Sequence, residues 1–488
     1  MIKLRHILRE AVEHKMALDY LGTLIKGTEW EGKVFLAGGA VRDELLGLDV
    51  KDLDLTVAAP NGGVAFAEWV TKKLDIFKKD SNPTIFPTFG TAKFNLRGVQ
   101  YKGHDLSDVD IETVMTRKEQ YTLGSRKPEV DYGTPEQDVM RRDLTINSLL
   151  KDLTSGEILD LTGKGVADIK SGIIRTPIDP NIIFKEDPLR MLRAIRFTVK
   201  YGWKLPYHMI KALHANAYML DTISKERIQD ELNKILVSKN PDKGIRLLQI
   251  TGLIKYVAPE LNDLVGMKQN KYHAWDAYKH TLYVLKQTPP KLVTRLAALF
   301  HDIGKTTTRK VINNEVHFFE HEDVGADMAR DILTRLKYPK EIIDSVYAVV
   351  KNHMRTKSYG KEAEKVSDKA LRKLQNDLGP HLEDTLDLVQ ADNISHGPES
   401  EKWTHNLPDQ VSKIRDRLSK LGDFTGKLNI PIDGKDVLRI TGEKPGKIIG
   451  DLLDVLKDKF LENPDISKEE AESLIAQEYE KMKRGSMQ

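Results

Sequence analysis

The distribution of apolar and polar positions predicts three parts: an opening helix, a mixed α/β region and a long helical region. Residues 1–21 carry acidic and basic side chains throughout and lack an uninterrupted apolar stretch, which is typical of an amphipathic helix rather than a signal peptide. Short apolar runs at 34–37, 91–96 and 109–114 are typical of strands. From about residue 181 onward, apolar residues recur every three or four positions, which predicts mostly helix.

The length of 488 residues exceeds what one hydrophobic core usually serves, so we predict several domains. A stretch punctuated by Gly and Pro at 122–128 is a loop candidate, and His396-Gly-Pro-Glu-Ser interrupts the helical pattern. We divide the chain into a head at 1–150, a neck and body at 151–267, a His-rich region at 268–398 and a helical tail at 399–488.

Composition excludes several classes of protein. No run approaches the ~20 apolar residues that a membrane span needs, so we expect a protein without a membrane partner that stays inside the cell, in the cytoplasm. The absence of cysteine excludes disulfides and thiolate zinc sites, which leaves His and carboxylate side chains as metal ligands. Because the net charge of +3 is close to balanced, any nucleic-acid surface must be a local patch.

The passage at 34–57, VFLAGGAVRDELLGLDVKDLDLTV, predicts a nucleotide site. Gly38 and Gly39 end a strand and precede a helix, where bare backbone N–H groups can approach a phosphate and Arg42 adds a cation. In Asp52-Leu53-Asp54, strand alternation puts both carboxylates on one face, where they can share Mg²⁺ with substrate phosphates in two-metal phosphoryl transfer. Either half alone is more often an ordinary turn or a solvated strand end.

Together, GGAVRDELLG and KDLDLTV resemble the signature of the class II tRNA nucleotidyltransferase and bacterial poly(A) polymerase family. The resemblance covers roughly residues 30 to 460. It implies an α+β fold, with a polymerase-β-like nucleotidyltransferase head followed by all-helical neck, body, HD and tail regions, and catalytic metal ligation by Asp52 and Asp54. It also implies Glu112 as the third acid, five positions before Arg117, although Asp110 lies on the same predicted strand face and competes for the role.

The run Arg141–Asn147 reads RRDLTIN and matches the family's RRDxTIN motif. Arg142 can bind phosphate oxygens, while Asp143 can fix the sugar of the nucleotide or orient that arginine. Asn147 can hydrogen-bond nearby, and a helix cap is the alternative interpretation for this residue.

The segment Glu186–Phe197 resembles the family's EDxLRxLRAxRF motif, which implies that it selects the nucleotide. Asp187 and Arg190 are three residues apart at the start of a predicted helix, so both should project from one face. A carboxylate that accepts and a guanidinium that donates complement cytosine and adenine and reject uracil and guanine. Spacing alone favours a surface salt bridge, and the resemblance reverses that preference. Arg193 and Arg196 would then support the triphosphate or the RNA backbone.

Further stretches of the sequence indicate which reaction and which RNA the resemblance implies. Residues 226–231, ERIQDE, resemble a helix that buttresses the nucleotide pocket, and the loop at 122–133 corresponds to a flexible loop that members adding only cytidine lack. Phe89-Gly90-Thr91 matches the FGT of the tRNA enzymes. The resemblance thus implies addition of CCA to tRNA from CTP and ATP, with body and tail contacting RNA. In the tail, residues 430–450 resemble GxD and GxxPGxxIG elements, which can meet an RNA backbone or form a tight turn.

A second metal site is predicted in the His-rich region. His301-Asp302 follows the apolar helix LVTRLAALF, and its companions complete the order H, HD, H, H, D of the HD phosphohydrolase superfamily. The resemblance implies Mn²⁺, Ni²⁺ or Mg²⁺ bound by His280, His301, Asp302 and Asp392. His321 and His353 could polarise a phosphate or extend the metal site, and Lys305 joins them as a candidate catalytic group. The site is either active or only keeps the fold.

Other functions stay open at this stage. One is a poly(A) or other RNA 3′-tailing enzyme, another is an HD phosphodiesterase whose head only grips RNA, and a third is a non-catalytic RNA-binding protein. Intact Asp52, Asp54, His301 and Asp302 argue against the third. The implied mechanism is attack by the RNA 3′-hydroxyl on the α-phosphate of CTP or ATP, without a nucleic-acid template. The oligomeric state is not indicated.

Overall fold

The computed structural model describes residues 2–50, 52–74, 83–86, 90–120, 129–269, 274–356, 365–395, 409–426 and 428–485. The chain divides into two compact units, Met1–Val257 and Ala258–Gln488. A mixed sheet in the first unit and a mostly helical remainder confirm the predicted α+β class. None of the helices in these ranges combines the length and apolar character that crossing a bilayer requires.

The first unit is built around a sheet. Its strands are β1 (Val34–Ala37), β2 (Leu53–Val57), β3 (Thr84–Phe86), β4 (Thr91–Asn95), β5 (Gln100–Tyr101), β6 (His104–Asp105), β7 (Asp110–Met115), β8 (Arg117–Gln120), β9 (Glu129–Tyr132), β10 (Leu150–Asp152) and β11 (Ile158–Leu159). Seven of them form one sheet in the order β11-β10-β1-β2-β7-β4-β3. Strands β2 and β7 run parallel, whereas the other neighbours in this sheet run antiparallel.

Helices cover this sheet and extend beyond it. They are α1 (Ile2–Ile25), α2 (Gly39–Leu45), α3 (Gly62–Lys73), α4 (Pro135–Met140), α5 (Gly165–Ser171), α6 (Pro180–Glu186), α7 (Leu189–Tyr201), α8 (Tyr207–Asn216), α9 (Lys225–Leu236), α10 (Pro241–Ile250) and α11 (Ile254–Val257). Short 3₁₀ turns lie at Thr145–Asn147 and Ala217–Thr222. The amphipathic opening helix and the helical stretches after residue 181 are therefore confirmed.

Helix α3 packs directly on the sheet. The Phe66 ring lies 6.4 Å from that of Phe94 and 5.3 Å from that of Trp30, measured between ring centroids. A Cβ on Gly63 would lie 2.7 Å from the Cα of Val114, so only glycine allows α3 to approach β7 this closely. Helix α3 therefore packs against β7, one of the two parallel strands that carry the acidic residues.

Two sequence-based limits differ from the structure. The predicted end of the head at residue 150 falls inside β10, and β11 continues the same sheet beyond it. The predicted loop at 122–133 is too long, because Glu129–Tyr132 pairs with Arg117–Gln120 as an antiparallel hairpin. The rest of that loop, and the phenylalanine of the FGT run, lie outside the described residues.

The second unit is mostly helical. Its helices are α12 (Ala277–Gln287), α13 (Leu292–Phe300), α14 (Lys305–Thr308), α15 (His321–Arg335), α16 (Lys340–Asn352), α17 (Asp368–Leu378), α18 (Leu382–Asn393), α19 (Gln410–Leu421), α20 (Gly434–Thr441), α21 (Lys447–Glu462) and α22 (Lys468–Gly485). Short 3₁₀ turns lie at Pro259–Leu264 and Gly379–His381. A hairpin of β12 (Arg309–Ile312) and β13 (Glu315–Phe318), which the apolar pattern did not predict, interrupts them. The predicted boundary near residue 398 lies outside the described residues.

Separate apolar cores hold the later helices. Leucines of α17 and α18, including Leu374 and Leu386, pack with Val411 and Ile414 of α19. Helices α20, α21 and α22 share a second core that contains Leu456. The tail therefore contains helices that bury apolar side chains among themselves.

Candidate functional site

Acidic residues meet on the two parallel strands. Asp54 on β2 and Glu112 on β7 are directly paired in register, and Asp52 immediately precedes β2. Although the Asp54 side chain reaches solvent, partial desolvation raises the pKa of its carboxyl, and the charges of Glu112 and Asp52 raise it further. A divalent cation would relieve this crowding of negative charge. Asp110, the competing candidate, instead forms an ion pair with Lys93 at 2.8 Å, so the geometry favours Glu112 as the third acid.

A cavity of about 720 Å³ is lined by Asp54 and Glu112, but not by Asp52, and is rich in arginine. We call it the arginine-lined cavity. The predicted site residues that line it are Gly38, Gly39, Arg42, Asp54, Glu112, Arg142, Asp143, Asn147, Asp187, Arg190 and Arg193. The cavity is lined by both carboxylates and guanidinium groups, which give it the charges to hold cations and phosphates together.

A continuous hydrogen-bonded chain crosses this cavity wall from α2 to α7. Arg42 Nη1 donates to Asn147 Oδ1, and Asn147 Nδ2 donates to Asp143 Oδ1 at 3.0 Å. Arg193 Nε donates to the other Asp143 oxygen at 2.7 Å, and Arg193 Nη2 lies 2.6 Å from the same oxygen in an ion pair. Burial alone would raise the pKa of Asp143, but Arg193 and Asn147 lower it on balance. Asp143 thus stays ionised and joins the glycine turn to α7.

Arg42 has neighbours that the sequence did not indicate. Its side chain is buried, its Nε donates to Asp43 Oδ1 at 2.8 Å, and its guanidinium lies over the rings of Phe197 and Tyr201 at 5.0 and 5.6 Å. These contacts tie α2 to α7. The direct phosphate contact expected of Arg42 stays a prediction, and its observed partners are protein groups.

Arg196 also contacts protein groups that connect two helices. Its Nε donates to Glu231 Oε2 at 2.6 Å, and its guanidinium stacks on Phe197 at 4.2 Å. Glu231 is the last residue of the ER-x-x-x-E run and is 2% exposed. The pair joins α7 to α9, in keeping with the expected buttress, whereas a role for Arg196 toward phosphate or RNA stays a prediction.

Asp187 and Arg190 both line the cavity, but they do not share a helix face. Helix α7 begins at Leu189, and Asp187 precedes it in an extended conformation with φ −142° and ψ 100°. Asp187 Oδ2 accepts from Arg227 Nη2 at 2.8 Å, whereas Arg190 Nη1 donates to Glu186 Oε2 at 2.7 Å. The alternative of a salt bridge between the pair is therefore wrong, because each has a different ionic partner.

Sequence reasoning missed two residues of this site. Arg227, assigned only to a supporting helix, lines the cavity and holds Asp187. Asp138 on α4 accepts from Arg142 Nη2 at 2.8 Å. The spacing of Asp138 three and four positions before Arg141 and Arg142 was an available signal, since residues at that spacing on a helix are neighbours.

In the second unit, six predicted metal-site residues gather between helices. This histidine cluster comprises His280 on α12, His301 and Asp302 after α13, His321 at the start of α15, His353 after α16 and Asp392 on α18. All six are buried. Asp302 is central: its Oδ2 lies 3.2 Å from His301 Nε2 and 3.6 Å from His280 Nε2, while its Oδ1 lies 3.5 Å from His321 Nε2. Asp392 Oδ1 lies 3.0 Å from His280 Nε2.

The donor set of the histidine cluster fits a divalent metal. Nδ1 of His301 and Nδ1 of His321 each contact a backbone carbonyl oxygen at 2.9 Å, so that nitrogen donates and Nε2 carries the lone pair. Among the described residues, neither Nε2 atom has a hydrogen-bond partner, and both face Asp302. Burial alone would lower the pKa of His301, but Asp302 raises it on balance. A cation between imidazoles and carboxylate satisfies these groups.

Asp302 belongs to two candidate ligand groups, one with His280 and His301 and the other with His321 and His353. Lys305 Nζ donates to Asp302 Oδ2 and to Gln269 Oε1, both at 2.7 Å. Although burial alone would raise it, His301 and Lys305 hold the pKa of Asp302 well below its usual value. The carboxylate is therefore available as a metal ligand.

Comparison with known proteins identifies three regions. Residues 34–175 match the family of poly A polymerase head domains, and residues 204–264 match the family described as a probable RNA and SrmB-binding site of polymerase A. Residues 271–397 match the HD domain family. The first match includes the cavity residues from Ala37 to Asn147 and the second includes Arg227, whereas Asp187, Arg190 and Arg193 lie between the two matched ranges; the third match includes the histidine cluster.

Whole proteins give the same assignment. The CC-adding tRNA nucleotidyltransferase of Thermus thermophilus is 29% identical over 467 residues, 90% of this chain and 92% of that protein. The multifunctional CCA protein of Neisseria gonorrhoeae is 33% identical over 333 residues, 66% of this chain and 74% of that protein. The Bacillus stearothermophilus CCA-adding enzyme, solved with CTP, shares the fold with a TM-score of 0.64 at 22% identity, over 97% of this chain and 99% of that one. The chain belongs to the class II CCA-adding tRNA nucleotidyltransferases and carries an HD domain.

Proposed function

We propose that this protein adds CCA to the 3′ end of tRNA from CTP and ATP, without a nucleic-acid template. The observation that carries the proposal is the register of Asp54 and Glu112 on parallel strands, facing a cavity that also contains the RRD arginine and the candidate base-reading residues. The names of the relatives, CC-adding and CCA-adding, support the same reaction.

In this reaction the 3′-hydroxyl of the RNA loses its proton and attacks the α-phosphorus of the nucleotide. A phosphodiester forms, the bond to the bridging oxygen breaks, and pyrophosphate leaves. Mg²⁺ held by Asp52 and Asp54 would neutralise developing charge and activate the hydroxyl, with Glu112 as the third acid. Arg142 binds phosphate oxygens, and Asp143 with Asn147 keeps the adjoining wall in place.

Nucleotide choice is assigned to Asp187 and Arg190. The carboxylate of Asp187 accepts from the amino group of cytosine or adenine, and Arg190 donates to the adjacent ring nitrogen. Uracil and guanine present a donor where Arg190 also donates, and such mismatched buried polar groups are costly. Because Arg227 and the Leu189 N–H both hold Asp187, the carboxylate is oriented before the nucleotide arrives.

The test uses tRNA transcripts that end before CCA, incubated with each nucleoside triphosphate singly and with CTP and ATP together. We expect two additions with CTP alone and a third only when ATP is also present. Products that stop after two cytidines with both nucleotides would restrict the activity to CC addition, the activity named for the Thermus relative. Efficient incorporation of uridine would contradict the assignment of Asp187 and Arg190.

We also propose a phosphohydrolase activity for the HD domain, because Asp302 belongs to two buried groups of candidate metal ligands, one with His280 and His301 and the other with His321 and His353. The proposed ligands of Mn²⁺, Ni²⁺ or Mg²⁺ are His280, His301, Asp302 and Asp392. His321 and His353 complete a second metal position or polarise the substrate phosphate, and Lys305 holds Asp302. The substrate class is a phosphoester such as a 2′,3′-cyclic nucleotide or a terminal phosphate.

A further inference from the structure

Asp138 forms a buried ionic junction beside the arginine-lined cavity. It lies on α4, is 1% exposed and holds both arginines of the RRD run. Its Oδ2 accepts from Arg142 at 2.8 Å from Nη2 and 3.2 Å from Nε, and its Oδ1 accepts from Arg141 Nη2 at 2.6 Å. One carboxylate therefore bridges two adjacent guanidinium groups and offsets part of the repulsion between them.

The junction also reaches β8, which follows the strand that carries Glu112. The Arg117 N–H donates to Asp138 Oδ1 at 3.3 Å, and Arg141 Nε donates to the Arg117 carbonyl oxygen at 3.2 Å. Both Arg117 and Arg142 line the cavity, whereas Asp138 lies behind them. Two parts of the cavity wall that are 25 positions apart in sequence thus share one anchor.

The geometry restricts Arg142 at all three nitrogens of its guanidinium. Nε and Nη2 donate to Asp138, and Nη1 donates to the Asn147 carbonyl oxygen at 3.3 Å. Burial alone would raise the pKa of Asp138, yet the charges of Arg142 and Arg141 lower it on balance, so the junction stays ionic at neutral pH. A guanidinium held in this way is oriented before a phosphate binds, which removes an ordering cost from binding and catalysis.

We propose that Asp138 is a positioning residue for nucleotidyl transfer: it orients Arg142 toward the nucleotide phosphates and keeps Arg117 in the same wall. The inference rests on the proposed nucleotidyltransferase function of this cavity. Asp138 itself acts through Arg142 and Arg117.

The test compares Asp138→Asn with a matched control, Asp168→Asn, in the full-length protein. Asp168 is also buried, accepts from Thr145 Oγ1 at 2.6 Å and pairs with Arg175 Nη2 at 3.0 Å, but it lies on α5 and takes no part in the proposed chemistry. The measurements are kcat and KM for CTP on tRNA lacking CCA, together with urea unfolding. Both variants should lose stability. At equal folded fraction, only Asp138→Asn should lose kcat/KM for CTP, by on the order of 10²-fold.

Two further variants separate positioning from folding. Asp138→Glu keeps the charge but displaces the carboxylate by one methylene, so it should fold and still lose kcat/KM for CTP. The double variant Asp138→Asn with Arg142→Gln should lose less than the product of the two single losses, because both changes remove the same ion pair between Asp138 and Arg142.

The inference is overturned if Asp138→Asn and Asp138→Glu keep wild-type kcat/KM, if they match the Asp168 control, or if the two losses multiply in the double variant. Should Asp138→Asn fail to fold, Asp138→Glu alone decides. A wild-type protein that adds no nucleotide would instead contradict the proposed function, which distinguishes the two failures.

Discussion

Asp187 Oδ2 accepts a hydrogen bond from Arg227 Nη2 at 2.8 Å, although the two residues are 40 positions apart in sequence. The other Asp187 oxygen accepts from the Leu189 N–H at 3.1 Å. Both oxygens are therefore held before a base arrives, one from α9 and one from the start of α7. In the proposed mechanism of base selection, Arg227 therefore acts indirectly, by orienting the carboxylate of Asp187.

Removing either arginine should weaken base selection. In Arg190→Ala the donor to the ring nitrogen is lost, and in Arg227→Ala the Asp187 carboxylate is free to rotate. We expect discrimination of CTP over UTP to fall by ~1–3 kcal/mol in Arg190→Ala and by less in Arg227→Ala. Competition assays with the four nucleotides measure it, with Lys225→Ala on the same helix as control. Unchanged selectivity with a lower rate would make Arg190 a structural residue.

Loss of the proposed metal-binding carboxylates should abolish addition while tRNA binding stays largely intact, because the proposal assigns these groups to cations rather than to RNA. Asp52→Ala and Asp54→Ala should each lose more than the ~10²–10³-fold typical of one transition-state donor. Glu112→Ala should also be impaired, whereas Asp110→Ala, which loses only an exposed ion pair with Lys93, should stay close to wild type. Single-turnover addition and tRNA filter binding check this, and near-normal addition by either Asp variant at saturating Mg²⁺ would refute the active site.

The two metal sites should be separable. His301→Ala and Asp302→Ala each remove a proposed ligand, so hydrolysis of phosphoesters should stop while CCA addition continues. The assay compares cyclic nucleotides and terminal phosphates with Mn²⁺, Ni²⁺ and Mg²⁺, alongside elemental analysis for bound metal. His317→Ala on β13 is the control, because that histidine stacks on Phe319 instead. If the wild type hydrolyses none of these substrates and the variants lose no metal, the domain is a scaffold.

Gly304 should tolerate no side chain. A Cβ there would lie 2.2 Å from the His321 carbonyl oxygen and 2.6 Å from the Gly325 nitrogen, so the segment after His301-Asp302 would have to move away from α15. We expect Gly304→Ala to destabilise the protein by ~1–3 kcal/mol, as overpacking does, and to reduce bound metal. The control is Gly450→Ala, where no heavy atom lies within 4 Å and alanine should stabilise helix α21 by up to ~1 kcal/mol. Equal unfolding midpoints for both would contradict the packing.

Because of Asp143, the free energy of unfolding should depend on pH in the acid range. Its pKa is lowered in the folded protein, so its contribution is fully present above the unfolded value near ~3.9 and is lost as pH falls through the lower folded value. Asp143→Asn should therefore destabilise the protein by ~1–3 kcal/mol at pH 7, with the difference from wild type shrinking below about pH 4. Urea unfolding across this range measures it. A difference independent of pH would mean that the Arg193 ion pair does not stabilise the fold.

Local patterns were enough to predict much of this protein. The apolar run at 34–37 predicts a fully buried strand, whereas the leucines flanking Asp54 and the three-and-four spacing after residue 181 each predict one buried face, and the structure confirms those elements. The short motifs predicted both candidate sites from residues that are close in sequence: Asp52 and Asp54 lie just before β2 and within it, and His301 with Asp302 directly follows the apolar helix α13.

Partners across the chain were beyond such reasoning. Arg193 binds Asp143, Arg227 binds Asp187, and Arg42 is buried under two rings of α7 because separate elements pack together. Helical and strand periods specify which face of an element is buried, but they do not specify which other element covers it. An ion pair forms only where packing brings two charges within a few ångströms. The partners of Arg193 and Arg227 therefore depended on the complete fold.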